Sequence, residues 1–204
     1  MNVVDQTLLK VMSQCRTAGV RLVISAQPTI KQFGVDCAGW FGPIDDGPEH
    51  VLAVATGVAT QEWLPTLLHE YCHMQQWLED PKHFKQLDDH ETLVFKWVAG
   101  EVELNNVDLA AAIWGSVWLE GDCERRAQKL IKAWGLEGYI NPDEYGQKGM
   151  AYAHFYNAVK QFRKWYRTGQ APYSVESVWR EFPSTVDVNW TPTEKHMKLY
   201  ESCL

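Results

Sequence analysis

The stretch His69-Glu70-Tyr71-Cys72-His73 places two imidazoles four residues apart. On a helix that spacing puts both on one face, with Cβ atoms about 5–6 Å apart. Two neutral rings so arranged can reach one Zn²⁺ at roughly 2.0–2.1 Å each. Glu70 then flanks the metal and suits a general base acting on metal-activated water. At this chain's own His and Glu frequencies the pattern arises by chance in about one such sequence in fifty, so its surroundings must decide.

The surroundings agree with a half-buried helix. Trp63, Leu64, Leu67 and Leu68 before the motif, and Met74, Trp77 and Leu78 after it, are apolar at helical spacing. Thr60 as N-cap or Pro65 as first helical residue could start this helix. Asp80-Pro81 should end it, because proline disfavours helical geometry in the residue before it. The competing reading makes His69 and His73 a surface pair, or satisfied core histidines, on an ordinary helix.

The chain has 204 residues, 46% of them hydrophobic and 22% charged, which fits one domain with a substantial core. Its 19 basic and 26 acidic side chains leave a net charge of −7, against a general nucleic-acid or membrane-surface binder. The basic run Lys160, Arg163, Lys164 and Arg167 reads as the solvated face of a late helix. Ten tryptophans serve as core or interface anchors. Five scattered cysteines without a Cys-x-x-Cys pair favour reduced thiols over a disulfide framework. No signal peptide is visible and no apolar run reaches the roughly 20 residues of a membrane span. The expected setting is therefore cytoplasmic.

Residues 3–18 read as a helix stopped by Gly19. Residues 21–25, 35–41 and 51–55 read as strands of a small sheet, punctuated by Gly34, Gly42-Pro43 and Asp46-Gly47-Pro48. Beyond Gln61 the pattern is almost wholly helical. Helices are expected over 88–100, from 106–108 to Trp134 with Gly135 past the end, and from Asn141-Pro142 toward Gly169. Two short helices near 174–181 and 193–202 complete a tail broken by prolines. The fold class is α+β and mostly helical, a small N-terminal β-sheet packed on a helical body. It is one domain over 1–204, with a core at about 20–135 and a helical extension at about 141–204.

A catalytic zinc site needs a third protein ligand and an open position. Gln76 and Glu79 lie three and six residues beyond His73, which excludes the metzincin continuation. The stronger candidate is a later helix on which Glu120, Cys123, Glu124, Ala127, Leu130, Ile131 and Trp134 share one stripe. Two glutamates on an otherwise apolar stripe require a compensating partner, and a cation supplies one. Arg125, Arg126 or a distant lysine is the other way to answer them.

A strand, a His-Glu-x-x-His helix and a later glutamate-bearing helix together resemble the gluzincin metallopeptidases of compact, minigluzincin form. The segment from Glu120 through Cys123 to Ala127 is similar to the third-ligand segment of the ImmA/IrrE metallopeptidases. Residues 120–126 also resemble a string in phage and bacterial metallopeptidase-like proteins. The likeness covers roughly residues 20–135, although the 46 residues between His73 and Glu120 exceed the usual gap. It implies Zn²⁺ held between two helices by His69, His73 and Glu120, with Glu124 hydrogen-bonded to a zinc histidine.

The implied function is a zinc-dependent metallopeptidase, in which Glu70 assists attack of a zinc-bound water on a peptide bond. A donor to the developing oxyanion would come from Tyr152, Tyr156 or His154. On a continuous helix Tyr152 and Tyr156 join the apolar stripe and His154 faces solvent. Cys72 reads as a small core thiol rather than a ligand. His50, His83, His90 and His196 fall in loops or at helix ends. Residues 50–57 form either an edge strand above the cleft, open to an extended peptide, or a buried strand.

Expected partners are a peptide or protein substrate, with protein assembly partners in the alternative reading, and neither nucleic acid nor membrane. That alternative is a structural or interaction protein, for example a phage particle component, retaining the fold and metal site. Its setting would be a bacterial host cytoplasm or the virion. Hydrolysis of a non-peptide amide or ester would use the same groups.

Overall fold

The computed structural model describes residues 1–32, 34–44 and 47–204. The fold is α+β and mostly helical, with a small N-terminal mixed sheet. By internal contacts the chain divides into two compact units. The first is Met1–Glu79 with Lys129–Asn141, and the second is Asp80–Gln128 with Pro142–Leu204.

In the first unit, helix α1 (Val3–Ala18) begins with a reciprocal cap. The Asn2 side chain accepts from the Asp5 N–H at 2.8 Å, and the Asp5 carboxylate accepts from the Asn2 N–H. Gly19, at φ +68°, ends it in the left-handed conformation that glycine adopts without strain. Strands β1 (Arg21–Ser25), β2 (Ile30–Gln32), β3 (Val35–Cys37), β4 (Gly39–Pro43) and β5 (His50–Ala55) follow. The expected strand over 35–41 is two strands interrupted at Ala38. β3 pairs back on β2 as an antiparallel ribbon, whereas β4 joins β5. Gly42-Pro43, expected as a turn, closes β4 instead, a strand end where the missing proline N–H is tolerated. Asp46 of the next expected turn lies outside the described residues.

The three-stranded sheet has the order β1-β5-β4, parallel between β1 and β5 and antiparallel between β4 and β5. Residues 50–57 are therefore not an edge strand. β5 is central, paired on both sides, and Val51 through Ala55 are all buried. A strand enclosed this way needs a continuous apolar run, which Val51-Leu52-Ala53-Val54-Ala55 supplies.

Helix α2 (Thr60–Glu79) packs on β4 and β5. It starts with Thr60 as its first helical residue, so Pro65 lies inside the helix. Leu64, Leu67 and Leu68 are fully buried. Each such leucine contributes about 1.5–3 kcal/mol relative to exposure, which anchors the motif on the sheet.

In the second unit, α3 is Pro81–Val98 and begins a full seven residues before the expected 88. Asp80 caps it by accepting from the His83 N–H at 3.0 Å, with Pro81 at the first helical position. His83 accordingly lies at a helix end, in the first turn of α3, whereas His90 lies in the middle of that helix rather than in a loop or at an end. Helix α4 (Asn106–Ala133) is capped by Asn105, whose side-chain oxygen accepts from Val107 and Asp108. It leads to Gly135 at φ +70°. α4 passes from the second unit into the first at Lys129.

The helix expected from 142 toward 169 is two, α5 (Pro142–Ala153) and α6 (Phe155–Phe162), separated at His154. That break overturns the solvent-facing placement of His154, which is buried at 1% exposure. The change of register at the break turns its ring inward. Its Nε2 lies 2.9 Å from the Asp187 carbonyl, and its ring meets Trp190 at 5.1 Å. Burial lowers its pKa, so the neutral ring with an Nε2–H donor is the form that fits. Helices α7 (Glu176–Trp179) and α8 (Glu194–Glu201) end the chain. His196 in the first turn of α8 closes a capping pair with Thr193.

The core of this unit joins α3 and α4 to α5–α8 around Phe155, Tyr156 and Tyr200. The Tyr200 hydroxyl donates to the Ala151 carbonyl at 2.9 Å, satisfying a fully buried phenol. Arg163 of the basic run ion-pairs with Glu103 and stacks over Trp97, so part of that run is structural. No helix of the described residues is long and apolar enough to cross a membrane.

Candidate metal centre

α2 supplies the first half of the site. The Nε2 atoms of His69 and His73 lie 3.0 Å apart, with the rings edge to face at a 4.6 Å centroid separation. Two ring nitrogens bound to one tetrahedral zinc would lie about 3.3 Å apart. The donor set therefore fits a soft-to-borderline divalent ion without a change of helix geometry. His73 is buried and His69 partly so.

Glu70 is buried on the same helix, beneath β4. A Cβ added to Gly39 would stand 2.9 Å from Glu70 Cγ, 3.1 Å from its Oε1, and 2.5 Å from Thr66 Cγ2. Only glycine lets β4 approach α2 this closely, and the carboxylate is confined as a result. Cys37, one strand earlier, feels the same charge. Burial first, then the Glu70 carboxylate and Asp36, raise its pKa, so it remains a thiol.

The Gly39 contact makes a prediction. Gly39→Ala is expected to lower unfolding stability by about 1–3 kcal/mol through overpacking. Pairing it with Thr66→Ala should restore part of that loss, since the nearest clashing methyl is removed. Denaturant melts of the four proteins check this, and an unchanged midpoint in Gly39→Ala would contradict the close approach.

In the second unit, Glu120, Cys123, Glu124 and Ala127 are all buried, as their shared stripe on α4 requires. Asp122 is buried too, although it lies off that stripe. Its carboxylate ion-pairs with both Arg125 and Arg126, the latter at 2.6 Å. The two arginines weighed as partners for the glutamates thus both engage Asp122. Gly149 of α5 lies against Glu124, where an added Cβ would stand 3.0–3.2 Å from its Cβ, Cγ and Cδ.

Tyr152 and Tyr156 share this neighbourhood. Burial and then Glu120 and Glu91 raise the Tyr152 pKa, and burial and then Glu91 raise that of Tyr156. The Tyr156 hydroxyl donates to the Glu91 carboxylate. Glu91 was not singled out in the sequence, because it sits among the polar residues of α3 and carries no motif. Of the three oxyanion candidates, Tyr156 has a carboxylate acceptor and His154 donates to a backbone carbonyl, while Tyr152 lies near Glu120.

Among the described residues, His69, His73 and Cys123 are a group that could hold a metal ion. In the sequence Cys123 belongs to the buried stripe and to the segment resembling a third-ligand segment, where the resemblance assigns the ligand to Glu120. All five cysteines are free thiols, and Cys72 is fully buried. No protein-family model, curated protein or solved structure matches this chain.

Proposed function

We propose that the protein is a zinc-dependent metallopeptidase. The observation that carries this reading is the convergence of the His69 and His73 Nε2 atoms at 3.0 Å beside a buried Glu70. His69 and His73 would hold the ion with a third donor from α4, either Cys123 or, as the gluzincin resemblance implies, Glu120. Zinc at such a position supplies Lewis acidity toward a peptide carbonyl and toward water.

The rest is work for this chain's own groups. Glu70 Oε1 or Oε2 takes a proton from the attacking water and returns it to the leaving amine. Confinement beneath β4 limits the rotamers open to that carboxylate, which favours a fixed direction of proton transfer. Glu124 orients a ligating histidine in the resemblance-based assignment. β4 pairs with β5 along one edge, and no described strand pairs with its other edge. An extended peptide could add there, antiparallel to β4, rather than on β5. Cleavage of a broad peptide library by the zinc-loaded protein, lost in Glu70→Gln, tests the proposal.

One observation favours a second reading. Cys123 belongs to the group that could hold the metal. Thiolate ligands predominate in structural zinc sites. A His₂Cys set would then hold the fold of a structural or interaction protein without turning over a substrate.

A further inference from the structure

We propose that Gln76 is a positioning residue that prepares His73 for the metal; this rests on the metal reading above. The Gln76 side-chain oxygen lies 2.9 Å from His73 Nδ1, and both residues are buried. An amide oxygen only accepts hydrogen bonds, so Nδ1 must carry the proton. In the neutral ring the lone pair is then on Nε2, the atom that faces His69. A metal-binding histidine needs this tautomer and this ring direction.

The spacing explains why the pair forms. Gln76 lies three residues beyond His73 on α2, where side chains share a face. The acceptor therefore comes from the motif helix itself and needs no later segment. In the metal-free protein His73 Nε2 accepts, so His69 Nε2 donates across the 3.0 Å gap. An ion entering the site replaces that hydrogen bond, and the His69 proton shifts to Nδ1. His73 needs no rearrangement.

Two variants separate this role from packing. Gln76→Met keeps the volume and removes the acceptor, whereas Gln76→Glu keeps an acceptor in place. Two readouts are used: nitrogen-15 chemical shifts of the histidine rings in the metal-free protein, and zinc affinity by chelator competition. Wild type should show a protonated Nδ1 and a bare Nε2 at His73. Gln76→Met should mix the two tautomers and weaken zinc binding 10–100-fold, the range typical of groups that support a ligand. Gln76→Glu should bind zinc at least as tightly as wild type.

A wild type that binds zinc, with Gln76→Met within about threefold of it, would overturn the positioning role alone. So would a wild-type His73 protonated at Nε2. A wild type that binds no zinc overturns the metal reading and the role that depends on it, whatever the ring shifts show. Circular dichroism of each variant separates loss of fold from loss of binding.

Discussion

Glu70→Gln should retain zinc at the wild-type level and lose peptide hydrolysis by about 10²–10⁴-fold, the usual contribution of a positioned general base. The substitution is nearly isosteric, so the close approach of β4 at Gly39 is preserved. What changes is the proton-accepting oxygen. In the proposed site Glu70 is not a ligand, so metal content should not follow activity. Zinc analysis and a library cleavage assay on the same preparation check both halves. Zinc retained with undiminished cleavage would remove Glu70 from the chemistry. Zinc bound by a wild type that cleaves nothing would favour the structural reading.

The second large effect concerns the third ligand. If the thiolate of Cys123 binds, Cys123→Ala should weaken zinc by more than the 10–100-fold expected of Glu124→Ala, a supporting group in the resemblance-based assignment. Cobalt substitution should then show a sulfur-to-metal charge-transfer band in the near ultraviolet, absent in Cys123→Ala. If the carboxylate of Glu120 binds, the order reverses. Glu120→Ala and Glu120→Gln become the damaging changes, and no such band appears. A Glu124→Ala loss larger than both would move the ligand four residues along α4.

Each outcome bears on function. A carboxylate leaves the metal more electrophilic than a thiolate and so favours the peptidase. Sulfur ligation with no Glu70-dependent cleavage favours the structural protein.

Features written in short local patterns were legible in the sequence. Gly19 ends α1 and Gly135 follows α4, both at positive φ, because such helix ends depend on adjacent residues. The motif helix was legible from the apolar spacing of Leu64, Leu67 and Leu68. The start of α3 is faint in the sequence because its first turns carry only Phe84 and Leu87 as buried apolar residues among the exposed Lys82, Lys85 and Gln86. The Asp80-Pro81 start signal was there but had been read only as the end of α2.

What depends on distant pairing was not legible. β5 became central only through β1 and β4, and strand order is not a local property. One break in register at His154 reversed the placement of that ring, since helical periodicity holds only along an unbroken helix. Within the candidate site, His69, Glu70 and His73 were legible as a spacing. For Gln76 the available signal is its three-residue offset from His73, which the metzincin comparison does not use. Cys123 was masked by its neighbours, because two buried glutamates seemed the costlier groups to explain.

In the proposed site His69 and His73 hold one zinc ion. Elemental analysis of the purified full chain, equilibrated with zinc and freed of excess, measures this directly in wild type, His69→Ala and His73→Ala. The expected result is about one zinc per wild-type chain and little in either variant, with helical content unchanged by circular dichroism. Full occupancy in His73→Ala, or no zinc in wild type, would contradict it.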